Sequence, residues 1–220
     1  MSVTQFIAGN YMNVLSRIFI GLFLLVSIAA QASDDQAAAQ LRKQLDAMNS
    51  LQGDFVQTTY DKKGVEQESS SGKFMLMRPG KFYWKTLEPM QQLLVSNNKT
   101  IWLYDPDLET VNERAFTDDL RETPALLLSS DIAQLRKSFT VTRDEKEKTA
   151  EKYTLTPKVT DGMFQHLTLV FKANQLTEFA IQDSLGQLTR CVLTNVQRNQ
   201  TLPEEKFFFQ PPEGVEILKD

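Results

Sequence analysis

The sequence predicts a mainly β protein with few helices: one domain of about eleven or twelve antiparallel strands, one N-terminal helix and a helical insert. Three observations carry this expectation. Beyond Gly53 the apolar residues recur with period two, the spacing of a strand and not of a helix. The apolar runs are short and are punctuated by turn pairs such as Pro79-Gly80 and Asn97-Asn98. The 220 residues, 41% hydrophobic and 24% charged, suit one globular domain, and no repeat or long Gly/Ser/Pro linker divides them.

The first 32 residues stand apart. Arg17 precedes a continuous apolar run from Ile18 to Ala30, and Ala30-Gln31-Ala32 supplies small residues at the two positions read by a signal peptidase. A positive start, a short apolar run and an A-x-A site are the parts of a secretory signal. A membrane anchor is the alternative, but a span needs roughly 20 apolar residues. Cleavage is expected after Ala32, with Met1 or Met12 as the start, leaving residues 33–220 as a single domain. Cleavage takes one of the 24 basic residues and no acidic one, so the net charge moves from −4 to −5. An acidic exported chain with one Cys and one His has no basic field for nucleic acid, no disulfide and no cysteine zinc cluster.

A helix is expected over residues 34–51, where Leu41, Leu45 and Met48 share a face behind Asp34 and Asp35, with Gly53 ending it. Strands then follow at Phe55–Tyr60, Gly72–Arg78, Lys81–Leu87, Gln91–Ser96 and Thr100–Tyr104, with a sixth around Val111. Thr123-Pro124 opens a short apolar helix through Leu126, Leu127 and Leu128, because Thr can cap it and Pro suits a first turn. A second short helix is expected at Asp131–Lys137. Strands resume at Phe139–Thr142, Lys152–Thr156, His166–Lys172, Thr177–Gln182, Leu188–Val196 and Lys206–Gln210. The mixed charges of Arg143–Lys148 read as a solvated hairpin loop.

Several strands do not alternate. Phe74-Met75-Leu76-Met77, Leu93-Leu94-Val95 and Ile101-Trp102-Leu103-Tyr104 are apolar on both faces, and Phe82 and Trp84 share a face opposite Tyr83. A sheet with one wet face would alternate, so both faces need cover. A closed, packed core satisfies this. A curved sheet with an apolar concave face, capped by Leu126-Leu127-Leu128, satisfies it too. On the second reading Met75, Met77, Met48 and Met90 lend the adaptability of methionine, and large aromatics such as Trp84 and Trp102 line the walls.

Catalytic patterns are missing. No Gly-x-Ser-x-Gly, P-loop or dinucleotide fingerprint occurs. Cys191 has only His166 as a conceivable base, and Asp105-x-Asp107 lacks the rest of a calcium loop. No catalytic residue, metal or cofactor is expected.

An ordered set of segments resembles the LolA family of periplasmic lipoprotein carriers. It comprises Arg78-Pro79-Gly80-Lys81-Phe82-Tyr83-Trp84, Pro89, Leu93-Leu94-Val95-Ser96, Thr100–Pro106, Thr123–Leu128 and Phe207–Val215. The resemblance implies an incomplete, half-open antiparallel β-barrel of about eleven strands covered by a helical lid. It implies a monomeric periplasmic chaperone that takes acylated lipoproteins from an inner-membrane ABC transporter and hands them to an outer-membrane receptor. It also implies that Arg78 ties the barrel to the lid and that Phe82, Trp84 and Leu94 line the cavity. Two alternatives remain. One is the lipidated receptor of the same fold, against which Ser33 stands where an acylated Cys would follow the signal. The other is an exported hydrolase using Cys191 or His166.

Overall fold

The computed structural model describes residues 35–116, 128, 137–159 and 164–219. Helix α1 covers residues 35–46. The strands are β1 (Ser50–Tyr60), β2 (Glu66–Met77), β3 (Lys81–Glu88), β4 (Gln92–Asn97), β5 (Thr100–Asp105) and β6 (Thr110–Ala115). They continue as β7 (Phe139–Arg143), β8 (Glu151–Pro157), β9 (Phe164–Lys172), β10 (Gln175–Asp183), β11 (Leu188–Arg198) and β12 (Glu216–Lys219). All lie in one curled sheet of order β12-β6-β5-β4-β3-β2-β1-β11-β10-β9-β8-β7. Its end strands β7 and β12 are not neighbours, so the sheet makes an open, incomplete barrel.

Three expectations are corrected. The helix stops at 46, not 51, and Gly53 lies inside β1. Ser50 and Leu51 pair with Met77 and Leu76, and that pairing outcompetes helix continuation. Lys206–Gln210 is not a strand: Glu204–Phe207 forms a 3-10 turn, with Phe207 buried as an anchor. The last strand is instead β12, which breaks the all-antiparallel expectation by running parallel to β6. The helices expected at 123–130 and 131–137 fall almost wholly outside the described residues.

Close backbone contact shapes the curl. Across β1 and β2, Gly53 faces Phe74 and Phe55 faces Gly72. A Cβ on Gly72 would lie 2.0 Å from the Lys85 carbonyl oxygen and 2.8 Å from the Phe55 ring. Each phenyl therefore rests over a residue without a side chain, a pairing that suits sharply bent sheet. Between β2 and β3, Gly80 turns at φ 69° where a Cβ would meet the Asn98 side chain at 1.9 Å. The buried Ser96 hydroxyl donates to the Gly80 carbonyl and holds that turn against β4.

Strand alternation splits the apolar residues into two layers. The inner face carries the main core: Phe55, Phe74, Leu76, Phe82, Leu155, Leu167, Leu169 and Phe179 pack with Ala37, Leu41, Leu45 and Met48 of α1. Val95, Val111, Leu202 and Phe207 are also buried but stand outside that cluster. Val95 and Val111 point to the outer face, where the 3-10 turn after β11 covers β3 and β4. Lys206 sits over the Tyr83 ring, Lys81 pairs with Glu204, and Phe209 meets Tyr104. The two-sided apolar strands thus serve two layers at once.

Candidate functional site

The inner face of β1–β5 is built in register. Leu76 pairs with Phe82 and Phe82 with Ser96; Phe74 pairs with Trp84, Trp84 with Leu94 and Leu94 with Leu103. Cross-strand partners share a face, so these side chains form one continuous apolar floor. Trp84 is its hub. Its ring stacks on Phe55 at 3.8 Å and lies 5.8 Å from Phe74, 5.8 Å from Phe82 and 6.1 Å from Phe179. Phe82 is fully buried, while Trp84 and Leu94 are half-buried at the floor's edge.

Beside that edge lies a cavity of about 220 Å³, half open to solvent, lined by Gln57, Trp84, Thr86, Gln92, Leu94, Leu103, Phe179 and Ile181. Its walls come from β1, β3, β4, β5 and β10. At the opposite end of the barrel, α1 and Leu128 close the inner face. The Arg78 Nη2 donates to the Leu128 carbonyl oxygen at 2.7 Å, and Leu128 itself is buried in the core. The Arg78 backbone N–H is held by the Asn49 carbonyl between α1 and β1. Arg78 therefore fastens Leu128 to the β2–β3 end of the barrel through a charge-assisted bond, stronger than a neutral one.

The expected lining is thus partly assembled. Arg78, Phe82, Trp84, Leu94 and Leu128 belong to one side of the sheet and its closed end. Met75, Met77 and Trp102 do not join them. Met75 pairs with Tyr83, Tyr83 with Val95 and Val95 with Trp102, which places this row on the outer face. The Trp102 indole N–H instead donates to Glu113 at 3.1 Å. Glu113 also pairs with Lys219 of β12, and the bonds from Lys219 and then Trp102 hold its carboxyl below the usual range. Of the other methionines, Met48 is core and Met90 is exposed. Leu126 and Leu127 lie outside the described residues.

Residue type alone missed Gln57, Thr86, Gln92, Leu103, Phe179 and Ile181. Parity was the available signal, because Gln57 follows Phe55 by two, Thr86 follows Trp84 by two, and Gln92 precedes Leu94 by two.

The nucleophile candidates are apart. Cys191 pairs with Gln57 and Phe179 on the inner face, whereas His166 pairs with Gln182 on the outer face and shares a hydrogen bond with Thr156. Burial pushes the Cys191 thiol far above its ordinary value, the reverse of an activated thiolate. Among the described residues no group of His, Cys, Asp and Glu is placed to hold a metal, and no helix is long and apolar enough to cross a membrane.

Comparison with known proteins gives the site its context. A family described as outer membrane lipoprotein carrier protein LolA matches residues 46–210. An outer-membrane lipoprotein carrier protein of Pseudomonas fluorescens is 35% identical over 206 residues, 94% of this chain and 99% of that one. The protein of the same description from Azotobacter vinelandii shows the same identity and coverage, 35% over 94% of this chain and 99% of its own. Among solved structures, an uncharacterized conserved protein from Thermus thermophilus shares the fold at a TM-score of 0.52 and 14% identity, over 82% of this chain and 99% of that one.

Proposed function

Because the chain belongs to the LolA family of outer membrane lipoprotein carrier proteins, we propose that it shelters the acyl chains of lipoproteins during their passage across the periplasm. The observation that carries this reading is the inner face itself. A floor of Phe55, Phe74, Phe82, Trp84 and Leu94 runs into a solvent-accessible cavity, where a purely structural core would be sealed. Exposing acyl chains to water costs about 0.8 kcal/mol per CH₂, so a multiply acylated protein needs such cover off the membrane. Apolar walls supply it without fixing the conformation of the chains.

The segment carrying Leu128 acts as a lid in this reading, and Arg78 is its latch. Hydrogen bonding from one charged side chain is a modest hold, which incoming acyl chains can displace. The donor is an inner-membrane ABC transporter and the acceptor an outer-membrane receptor, with the carrier working as a monomer and performing no chemistry. The test is release of a radiolabelled lipoprotein from spheroplasts on addition of the purified protein. Release into the soluble fraction, as with an authentic carrier, is expected. Retention in the inner membrane, while that authentic carrier releases it, overturns the proposal.

A further inference from the structure

The cavity beside Trp84 is not uniformly apolar. Its lining combines Phe179 and Ile181 of β10, Leu94 of β4 and Leu103 of β5 with Gln57, Thr86 and Gln92 of β1, β3 and β4. The polar side is a continuation of the apolar floor along the same face. Phe55 gives way to Gln57 two residues on, Trp84 to Thr86, and Leu94 to Gln92 two residues back, with Thr86 and Gln92 paired directly. Moving from the Arg78 end toward the β1–β2 and β3–β4 turns, this half of the inner face passes from Leu76 and Phe82, through Phe74 and Trp84, to the amide and hydroxyl side chains.

Gln57 and Thr86 are half-buried, and among the described residues neither side chain has a hydrogen-bond partner. Gln92 has only a long contact of 3.4 Å to Asp105. Partly buried polar side chains are ordinarily bonded within the protein or to water. An amide and a hydroxyl at the edge of an apolar floor, open to solvent and without protein partners, are free to bond a ligand that is itself half polar.

The geometry points to Gln57 and Thr86 as the groups that recognise the ester-bearing glyceryl junction of the lipid anchor, with the acyl chains directed from there toward Phe82 and Arg78. This assignment rests on the carrier reading and adds a direction to it. The Gln57 amide N–H and the Thr86 hydroxyl donate to ester carbonyls, while the Ile181 and Phe179 wall covers the first methylenes. The cavity has the volume of roughly seven waters, the scale of such a junction and not of whole chains. The peptide part of the cargo then leaves by the mouth formed by the β1–β2, β3–β4 and β10–β11 turns. Recognition at the junction is common to lipoproteins of any sequence, so it reads the lipid class without reading the protein attached.

The experiment compares a synthetic triacylated lipopeptide with an analogue of equal chain length whose two esters are replaced by ethers, each titrated calorimetrically into the full chain. The wild type is expected to bind the diester about tenfold more tightly, the effect of one to two hydrogen bonds. Gln57→Leu combined with Thr86→Val is expected to bind both ligands alike, whereas Thr86→Ser alone keeps the preference. Equal and tight wild-type binding of both ligands overturns this assignment and leaves the carrier reading standing. A preference that persists in the double variant also overturns it. Absence of binding by either ligand to the wild type overturns both.

Discussion

Replacing Arg78 by Leu removes the 2.7 Å bond to the Leu128 carbonyl and little apolar packing. A hydrogen bond involving a charged donor contributes about 1.5–3 kcal/mol. At about 1.4 kcal/mol per tenfold, its loss shifts the balance between bound and released Leu128 roughly ten- to 150-fold toward release. If cargo enters only when Leu128 is displaced, the closed form competes with cargo, and its apparent affinity carries the same factor. Arg78→Leu is therefore expected to hold a triacylated lipopeptide at least tenfold more tightly and to pass it to outer-membrane acceptors correspondingly more slowly. Global unfolding changes little, because the apolar inner core is untouched. The assay pairs calorimetric affinity with transfer of a labelled lipoprotein to acceptor membranes, and a thermal melt controls for folding. Unchanged affinity together with unchanged transfer, in a folded variant, refutes the latch.

Phe207→Ala should cost about 3–5 kcal/mol in denaturant unfolding, as expected for a buried phenylalanine, while leaving lipopeptide affinity unchanged because its ring covers the outer layer. A cost below about 1 kcal/mol would show that the C-terminal segment is not anchored there. The Glu113 carboxyl titrates below its ordinary value of 4.5, so its contribution is complete above that value and fades only as the pH falls through the lower folded value. Amide exchange in β12 should then quicken selectively below pH 4.5, and a β12 indifferent to acid would remove Glu113 as its tether. With its thiol buried and its pKa raised, Cys191 should resist alkylation in the native protein at mildly alkaline pH and react at once in denaturant. Rapid native labelling would contradict its burial.

Most of the sheet was legible because period two and the turn pairs are local signals. The third, fourth and fifth strands are found within one residue, the first two begin five or six residues earlier than expected, and the two-faced apolar runs did announce two buried layers. What covers the second layer was not legible. Phe207-Phe208-Phe209 reads as a strand by composition, yet Phe207 sits in a 3-10 turn docked on β3 and β4, a preference set by distant partners. β12 was missed for a similar reason: it is short, all exposed, and defined by Val111 and its neighbours on β6 rather than by its own pattern. Face assignment misplaced Met75, Met77 and Trp102. Residue type suggested the cavity, but only the register with Tyr83 and Val95 assigns their face.

The doubly covered strands give the barrel two unlike walls. β3, β4 and β5 are packed from within by the aromatic floor and from outside by the 3-10 turn carrying Phe207 and by Phe209. On the other side, β8, β9 and β10 turn Thr154, Thr156, Thr168 and Gln182 outward, with no second layer over them among the described residues. A wall packed on one face has fewer contacts to resist deformation than one packed on both. The aromatic hub at Trp84 is thus mounted on the doubly packed side of the barrel.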